Sequence, residues 1–335
     1  MIADVIGLGA RGPVGLSSLQ VAAFVRARKF ESRGIAQKNR HGHEIGIGLT
    51  GGLGEHLAGF GRLLGLAAPA LSEAVDDAGL SGGSEGLPVV VCLSEPGRPD
   101  DDVRYGDAFT DALGERTGIV LDRVRSRVMR RGHAGLAGAV LYAKQVLDGG
   151  APAVVVGGVD SYYHAGVLRW LDGQFRLHGL DAEDGFIPSE AAAFLVLARG
   201  GRPNGRSYGR VLAAEVADEP GARSEDLPNI GEAMTGLVSR ALALTGPVPW
   251  VITDENSEDH RQAEWEKVSL RLLHGVERTT WVWDTGEVGA ASGPLFSVVM
   301  LKLAELGCAV ASKALVALHA DGGERGVLVL EARDG

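Results

Sequence analysis

The sequence predicts an α/β protein with two similar halves, and three observations support this fold class. Short, continuous apolar runs such as 87–97 and 191–200 are typical of strands that are buried on both faces of a sheet. Stretches with helical spacing, such as 134–148, separate these runs. The order of strands and helices before residue 203 recurs in the rest of the chain, which favours an internally duplicated, layered fold.

The first half, residues 1–203, begins with a strand at 3–10 and a helix at 13–28. Pro13 falls in the first turn of that helix, where its missing N–H is tolerated. Residues 30–50 are polar and rich in glycine and histidine, which predicts a loop. The other elements expected in this half are helices at 57–80, 103–118 and 134–148 and strands at 87–97, 151–161 and 191–200.

The second half, residues 204–335, follows a glycine-rich boundary at 200–208. Its last two strands should form an antiparallel hairpin, and its helix at 294–306 should lie beside helix 134–148 in a central layer, because both are apolar on several faces. The elements expected are strands at 208–219, 249–257, 313–320 and 326–332, helices at 231–246, 260–273 and 292–307, and a strand that passes into a loop at 279–287.

Composition and charge exclude several classes of protein. The net charge of −10 makes a nucleic-acid partner unfavourable, and no run approaches the ~20 apolar residues of a membrane span. The amino-terminal residues lack a basic segment followed by an apolar one, so no signal peptide is predicted. Cys92 and Cys308 lie in apolar contexts far from any CxxC pattern, which favours buried thiols in a reducing compartment. We therefore expect a cytoplasmic protein with neither a membrane nor a nucleic-acid partner.

Two motifs suggest a cofactor or a metal, but neither has the context it needs. Gly7, Gly9 and Gly12 fit the dinucleotide pattern G-x-G-x-x-G, yet residues 27–40 contain no apolar strand ending in an acidic residue. A plain turn between a strand and a helix is the favoured interpretation. In the polar segment HGHE, nothing fixes the geometry of His41, His43 and Glu44 for a metal ion. We expect no cofactor and no metal.

The segment DENSEDH at 254–260 has two interpretations. Its carboxylates and histidine could form a metal cluster. The favoured alternative is a helix start, since Asn256 and Ser257 are good N-cap residues and acidic side chains suit the positive end of a helix.

Each of two glycine-rich stretches leads into a helix, so that each presents backbone N–H groups and the positive end of a helix. The stretch 130–145, RRGHAGLAGAVLYAKQ, enters a helix, and its only reactive side chain is His133. The stretch 284–294 brings one carboxylate, Glu287, to the start of another helix, where backbone donors would face a bound group or simply pack.

Five ordered segments together resemble the thiolase-fold condensing enzymes, specifically the β-ketoacyl-acyl-carrier-protein synthases. They are distributed over nearly the whole length of the chain, at 5–28, 132–161, 184–200, 285–293 and 319–331. The resemblance implies a five-layered α-β-α-β-α architecture with two similar halves. It also implies a homodimer, joined through the strand at 151–161 or its neighbours, which would cover an apolar strand edge.

At the positions that carry catalysis in that family, this sequence has other residue types. Alignment on the resembling segments assigns Gly132 to the nucleophilic cysteine and Asp254 to the first histidine. The second histidine corresponds to Gly286 or Glu287, depending on a one-residue gap. All of these positions have changed class, as has the glycine-rich gate near residues 321–323.

His133, next to Gly132, could serve as a nucleophile or base. At a helix start it is more simply explained as a neutral, hydrogen-bonded residue whose pKa is lowered by the helix dipole.

These replacements favour a catalytically inactive synthase-like protein that acts as an accessory factor or binding partner. The segments GARGPVGL and GFIPSEAA are similar to degenerate synthases associated with type VI secretion, which implies a secreted effector as partner. A second hypothesis is a chain-length-factor-like partner of an active ketosynthase, working with an acyl-carrier protein in fatty-acid or polyketide synthesis. A third is an acyltransferase or hydrolase that uses His133 with Asp254 or Glu287.

Overall fold

A mixed ten-stranded sheet runs through the part of the chain that the computed structural model describes, residues 1–83, 85–179, 182–200, 207–222 and 227–333. The strands of the first half are β1 (Ala3–Arg11), β2 (Arg33–Lys38), β3 (Glu44–Ile47), β4 (Val89–Leu93), β5 (Arg127–Arg130), β6 (Ala153–Ser161) and β7 (Glu190–Ala198). Those of the second half are β8 (Gly209–Asp218), β9 (Trp250–Thr253), β10 (Glu277–Thr280), β11 (Lys313–His319) and β12 (Glu324–Ala332). β2 and β3 form a separate hairpin.

The two halves of the sheet have the same topology. The order is β1-β7-β6-β4-β5 in one half and β8-β12-β11-β9-β10 in the other. β7 and β12 occupy equivalent places, and each is antiparallel to both of its neighbours. The pairs Ala3–Val211, Asp4–Arg210 and Val5–Gly209 join the halves through β1 and β8. The prediction of two similar halves is therefore confirmed, while the proposed boundary between residues 203 and 204 lies outside the described residues.

Helices cover both outer faces of the sheet and fill the space between its halves. They are α1 (Ser18–Arg26), α2 (Gly59–Asp77), α3 (Asp107–Thr117), α4 (Gly135–Asp148), α5 (Ala165–Gly173), α6 (Glu232–Thr245), α7 (Asp259–Leu272), α8 (Val282–Thr285) and α9 (Ser292–Glu305). One outer core packs α2 and α3 on the first half-sheet, and another packs α6 and α7 on the second. The main core contains α1, α4 and α9 between the half-sheets. The architecture is thus the five-layered α-β-α-β-α, thiolase-like fold.

The central helices α4 and α9 lie side by side, as predicted. The Cβ that an alanine would add at Gly293 would come within 3.2 Å of the Cβ of Leu136, so small residues allow this close approach. A register shift between Val5 and Gly7 interrupts the alternation of side chains along β1, so Val5 and Leu8 face the central layer and Ile6 faces α2.

The prediction of a loop at 30–50 is wrong, because β2 and β3 form a hairpin there. Ile45 and Ile47 of β3 are buried in a small core with Leu171 and Phe186. The apolar side of this hairpin has only three residues, Ile35, Ile45 and Ile47, and the pair Gly34–Gly46 lies on the other face, so the period-2 signal is weak in the sequence.

Two further expectations need correction. Strand β10 ends at Thr280, and the segment expected to continue it contains the short helix α8. The homodimer was expected to form through β6 or its neighbours, but β6 is hydrogen-bonded to β4 on one side and β7 on the other, so it has no open edge. Its neighbours β4 and β7 are likewise paired on both sides. The end of the sheet on that side is β5. In the described ranges, no helix combines the length and the apolar character that crossing a membrane requires.

Candidate functional site

His133 and Glu287 form a buried pair at the starts of the two central helices. A 3-10 turn, Gly132–Ala134, leads into α4, and Glu287 lies two residues before the matching turn, Gly289–Ala291. The Nε2 of His133 lies 2.7 Å from Oε1 of Glu287, and the two residues are 4% and 1% exposed. Glu287 also accepts hydrogen bonds from the first N–H of its turn at 3.1 Å and from the Asn256 amide at 2.9 Å.

Each side chain shifts the pKa of the other towards the charged form. Burial opposes ionisation of His133, but the Glu287 carboxylate raises its pKa above the ordinary 6.5. Burial likewise opposes ionisation of Glu287, while His133 and Arg261 lower its pKa below the ordinary 4.5. The expectation of a lowered His133 pKa is therefore wrong, because the facing Glu287 carboxylate raises it, whereas the expected hydrogen bond of this side chain is present.

Asp254 belongs to the same charged network through Arg261. Its Oδ1 lies 2.7 Å from Nδ1 of His319, and its Oδ2 accepts from the backbone N–H of His319 at 2.7 Å and from Arg261 at 3.3 Å. Arg261 also donates to Asp321 at 2.8 Å. Burial raises the pKa of Asp254, but His319 and Arg261 together lower it to about 2.

The segment 254–260 is a helix entry, as predicted, since α7 begins at Asp259, but its N-cap is neither Asn256 nor Ser257. The N-cap residue is Glu258, whose backbone N–H donates to the Asn256 side chain at 2.9 Å. The amide of Asn256 donates instead to Glu287 and Glu258, and the Ser257 hydroxyl donates to the carbonyl of Gly185. Asn256 and Ser257 do not cap the helix because the chain enters α7 one to two residues later: the Asn256 side-chain oxygen accepts from the N–H of the N-cap residue Glu258 and not from an N–H inside the helix.

Gly132 is the first residue of the 3-10 turn that leads into α4, which we call the elbow. Its φ is +53, a conformation that favours glycine. A Cβ at this position would lie 3.1 Å from Cγ of Glu95, so the Glu95 side chain occupies the space that a residue-132 side chain would need. Gly286 has φ +70 and packs against Ser189, whose Cβ would be 2.5 Å from an added Cβ. Of the two alternatives for the second histidine position, Glu287 contacts His133.

A cavity of about 510 Å³ opens beside this pair. It is lined by Ser94, Glu95, Pro96, Gly97, Arg98, Gly132, His133, Asp160, Tyr162, Trp170, Asp321 and Gly322. Arg98 is held by Asp100 at 2.7 Å and by Asp160 at 2.6 Å. The cavity wall thus combines paired cations, carboxylates and two aromatic rings.

Neither cysteine supplies a reactive thiol to the cavity. Cys92 is fully buried under the first turn of α4, and burial, followed by the charge of Glu324, raises its pKa to about 12. Cys308 is only partly buried, contrary to expectation, and its Sγ donates to the carbonyl of Leu306 at 3.2 Å.

Sequence reasoning missed several members of the site, among them His319, Arg261, Arg98 and Asp160. A usable signal existed for two of them: Asp160 and His319 are polar residues at or next to the ends of the apolar strands β6 and β11. The arginines gave none, because the partners that place them at the cavity, Asp160 for Arg98 and Asp321 for Arg261, lie 62 and 60 positions away.

The other motifs have packing or surface roles. Side chains at Gly7 and Gly9 would overlap the α2 backbone at Ala74 and Ala70, so these glycines let α2 approach β1 closely. The turn between β2 and β3 contains His41 and His43. Within the described residues, no group of three or more histidine, cysteine or acidic side chains could hold a metal ion.

No protein-family model matches this sequence, and no curated protein matches it. Solved structures do resemble it. A chain of a type II polyketide synthase acyl-carrier protein in complex with its ketosynthase superposes with a TM-score of 0.80 at 15% identity, covering 98% of this chain and 99% of that one. The fold is that of the ketosynthases.

Two further structures support this assignment of the fold. The ishigamide ketosynthase/chain length factor gives a TM-score of 0.74 at 18% identity and covers 99% of both chains. A ketosynthase from module 6 of the bacillaene synthase of Bacillus subtilis 168 gives 0.76 at 14% identity, covering 99% of this chain and 72% of that one.

Proposed function

We propose that this chain is a cytoplasmic ketosynthase-fold protein that does not condense acyl groups and acts as an accessory or binding partner. The observation that carries the proposal is the pairing of His133 with Glu287 beside Gly132. A nucleophile needs a base and a set of donors around it, and glycine has no side chain with which to form a thioester. The only thiol near this helix start in the described residues, Cys92, is buried and protonated.

The charge of the site also opposes condensation. Carbon–carbon bond formation from a thioester develops negative charge on an oxygen, which donors or cations must stabilise. Here Asp254 stands at the position that the resemblance assigns to the first histidine, and Gly286 or Glu287 at that of the second; the carboxyl groups of Asp254 and Glu287 both have lowered pKa values. Two carboxylates destabilise such an oxyanion.

The test is carbon–carbon bond formation from acyl- and malonyl-carrier protein by the unmodified chain, with an active type II ketosynthase as the positive control. We expect turnover no higher than without protein. Turnover well above that level, abolished by His133→Ala, would overturn the proposal. Acyl transfer or thioester hydrolysis that needs His133 would instead support the acyltransferase or hydrolase hypothesis.

A chain-length-factor-like partnership is the second candidate. Among the similar structures are a ketosynthase/chain length factor and a complex of a ketosynthase with its acyl-carrier protein, each matched over nearly its whole length. The resemblance of GARGPVGL and GFIPSEAA to degenerate synthases favours type VI secretion instead. Purification of the native complex from the host separates the two: a ketosynthase or carrier protein supports the first, and a secreted effector supports the second.

Self-association is part of the same proposal. A homodimer that extends the first half-sheet would have to use β5, Arg127–Arg130, because this strand ends the sheet. Sedimentation at micromolar concentration should give the mass of two chains, and a monomer at that concentration would contradict this part of the proposal.

A further inference from the structure

The cavity beside Gly132 has an excess of acidic groups. Glu95, Asp160 and Asp321 line it, against two cationic side chains, Arg98 and His133. Both cations are already paired, Arg98 with two carboxylates and His133 with Glu287 outside the cavity lining. Two of the carboxylates are paired as well, Asp160 with Arg98 and Asp321 with Arg176 and Arg261. Glu95 accepts from the N–H of Gly322 at 2.9 Å. An anionic ligand would therefore meet carboxylates without meeting an unpaired cation among these lining residues.

A second observation is independent of these charges. Ser94 lies directly after β4, lines the cavity and is only 3% exposed. Its hydroxyl oxygen is buried and has no hydrogen-bond partner in the described part of the chain. Buried polar groups in native proteins are nearly always bonded, so an unpartnered hydroxyl in a cavity wall marks a place where a ligand donor fits.

The aromatic part of the wall suits positive charge as well. The guanidinium carbon of Arg98 lies 5.1 Å from the Tyr162 ring centroid, and that of Arg176 lies 5.8 Å from the Trp170 ring. These distances are those of cation–π contacts, so both rings already face cations. Burial, then the charges of Glu287 and Asp160, raises the pKa of Tyr162 well above its ordinary value, which is the effect of a negative potential.

We propose that this cavity binds an organic cation, an alkylammonium or guanidinium group, which enters beside the exposed residues Pro96 and Gly97 and donates to Ser94 and Glu95. The inference rests on the proposed function, since it assigns to the non-condensing pocket a ligand of opposite charge to a malonyl carboxylate. The cation could belong to a small free amine or to a lysine or arginine side chain of a partner protein. A volume of about 510 Å³ is ample for either group.

The experiment is a calorimetric titration of the full chain with 1,5-diaminopentane, agmatine, glutarate and pentane-1,5-diol. The two amines should bind one to one with an affinity that falls as salt is added, and glutarate and the diol should not bind. Glu95→Gln should weaken amine binding about tenfold, as expected for the loss of one partly buried charged contact, and Ser94→Ala about threefold. Glu31→Gln, an exposed carboxylate outside the cavity lining with the same change in net charge, should leave it unaltered.

Absence of amine binding, equal binding of glutarate, or amine binding that Glu95→Gln leaves unaltered would each overturn the proposal. Circular dichroism melts of the variants establish that weaker binding does not reflect unfolding. A short blocked peptide containing one lysine separates the sources: tighter binding than the free amine points to a partner's side chain, and weaker binding points to a small amine. The titration contains no carrier protein, so failure of amine binding and a positive condensation assay are separate results.

Discussion

The starts of α4 and α9 have the same backbone design and different surroundings. Each begins at a glycine with φ +53, Gly132 or Gly289, continues through a three-residue 3-10 turn and enters a helix of 14 residues. At Gly289 a Cβ would overlap the carboxylate of Asp160, which accepts from the N–H of Ala290 at 2.9 Å. At Gly132 a Cβ would meet only the Glu95 side chain, at 3.1 Å.

This difference separates what the fold requires from what chemistry could use. Asp160 supplies an acceptor and a negative charge to the start of α9, so glycine at 289 is required by packing as well as by φ. At 132 the backbone favours glycine only through φ, and the space beyond it opens on a cavity. The turn at Gly289 therefore has a packing role, and the turn at Gly132 is a place where a side chain could reach the cavity.

Gly289→Ala should have the largest effect on stability. The methyl group would overlap a carboxylate that Arg98 holds in place, and the residue would keep an unfavourable positive φ, so we expect a loss of about 3–5 kcal/mol in the free energy of unfolding. Denaturant titration measures this loss. Gly42→Ala is the matched control, because Gly42 has φ +81 and nothing within 4 Å of its added Cβ, and it should lose only about 1 kcal/mol. Equal losses of stability at both positions would mean that packing against Asp160 adds nothing to the cost of the positive φ.

Glu287→Gln should cost about 3 kcal/mol, because it leaves a buried His133 without its counter-charge. Chemical denaturation at pH 6 measures this cost. A loss below about 1 kcal/mol would mean that the ion pair contributes little to the starts of the two helices.

The pH dependence of the same variant follows from the two pKa shifts. The pKa of His133 is raised in the fold, so its contribution is complete below about 6.5 and is lost as pH rises through the raised value. The pKa of Glu287 is lowered, so its contribution is present above about 4.5 and is lost as pH falls. The stability difference between the natural chain and Glu287→Gln should therefore be greatest between these limits and shrink at higher pH. A difference that stays constant from pH 6 to 9 would contradict a raised pKa of His133.

Gly132→Ala should lose about 1–2 kcal/mol, mainly from the positive φ, because the neighbouring Glu95 side chain can move away. Its denaturation midpoint should lie closer to that of Gly42→Ala than to that of Gly289→Ala. A loss equal to that of Gly289→Ala would show that the surroundings of Gly132 are as tightly packed as those of Gly289.

The sequence predicted the layers well because long apolar runs and helical periods come from many residues at once. The buried helices 134–148 and 294–306 are examples. It predicted the site less well, because single side chains at the ends of elements decide it. The pKa of His133 was expected to be lowered, since the sequence does not show that Glu287, 154 positions away, faces it at 2.7 Å. The role of His319 required the knowledge that β11 ends beside Asp254.

Gly132→Cys tests the smallest expected effect, the influence of Glu95 on a thiol at the elbow. The helix start would lower the pKa of such a thiol, but the Glu95 carboxylate, in contact with the new side chain, would raise it. We expect iodoacetamide at pH 7.5 to modify Gly132→Cys/Glu95→Gln about three to ten times faster than Gly132→Cys, and the ratio should fall in 1 M salt. The modification rate of the natural chain is subtracted as background, because that chain contains only Cys308 and the buried Cys92. Equal rates would mean that the Glu95 carboxylate turns away from position 132. The turn at Gly132 would then face a cavity with no carboxylate close to it, unlike the turn at Gly289, which contacts Asp160.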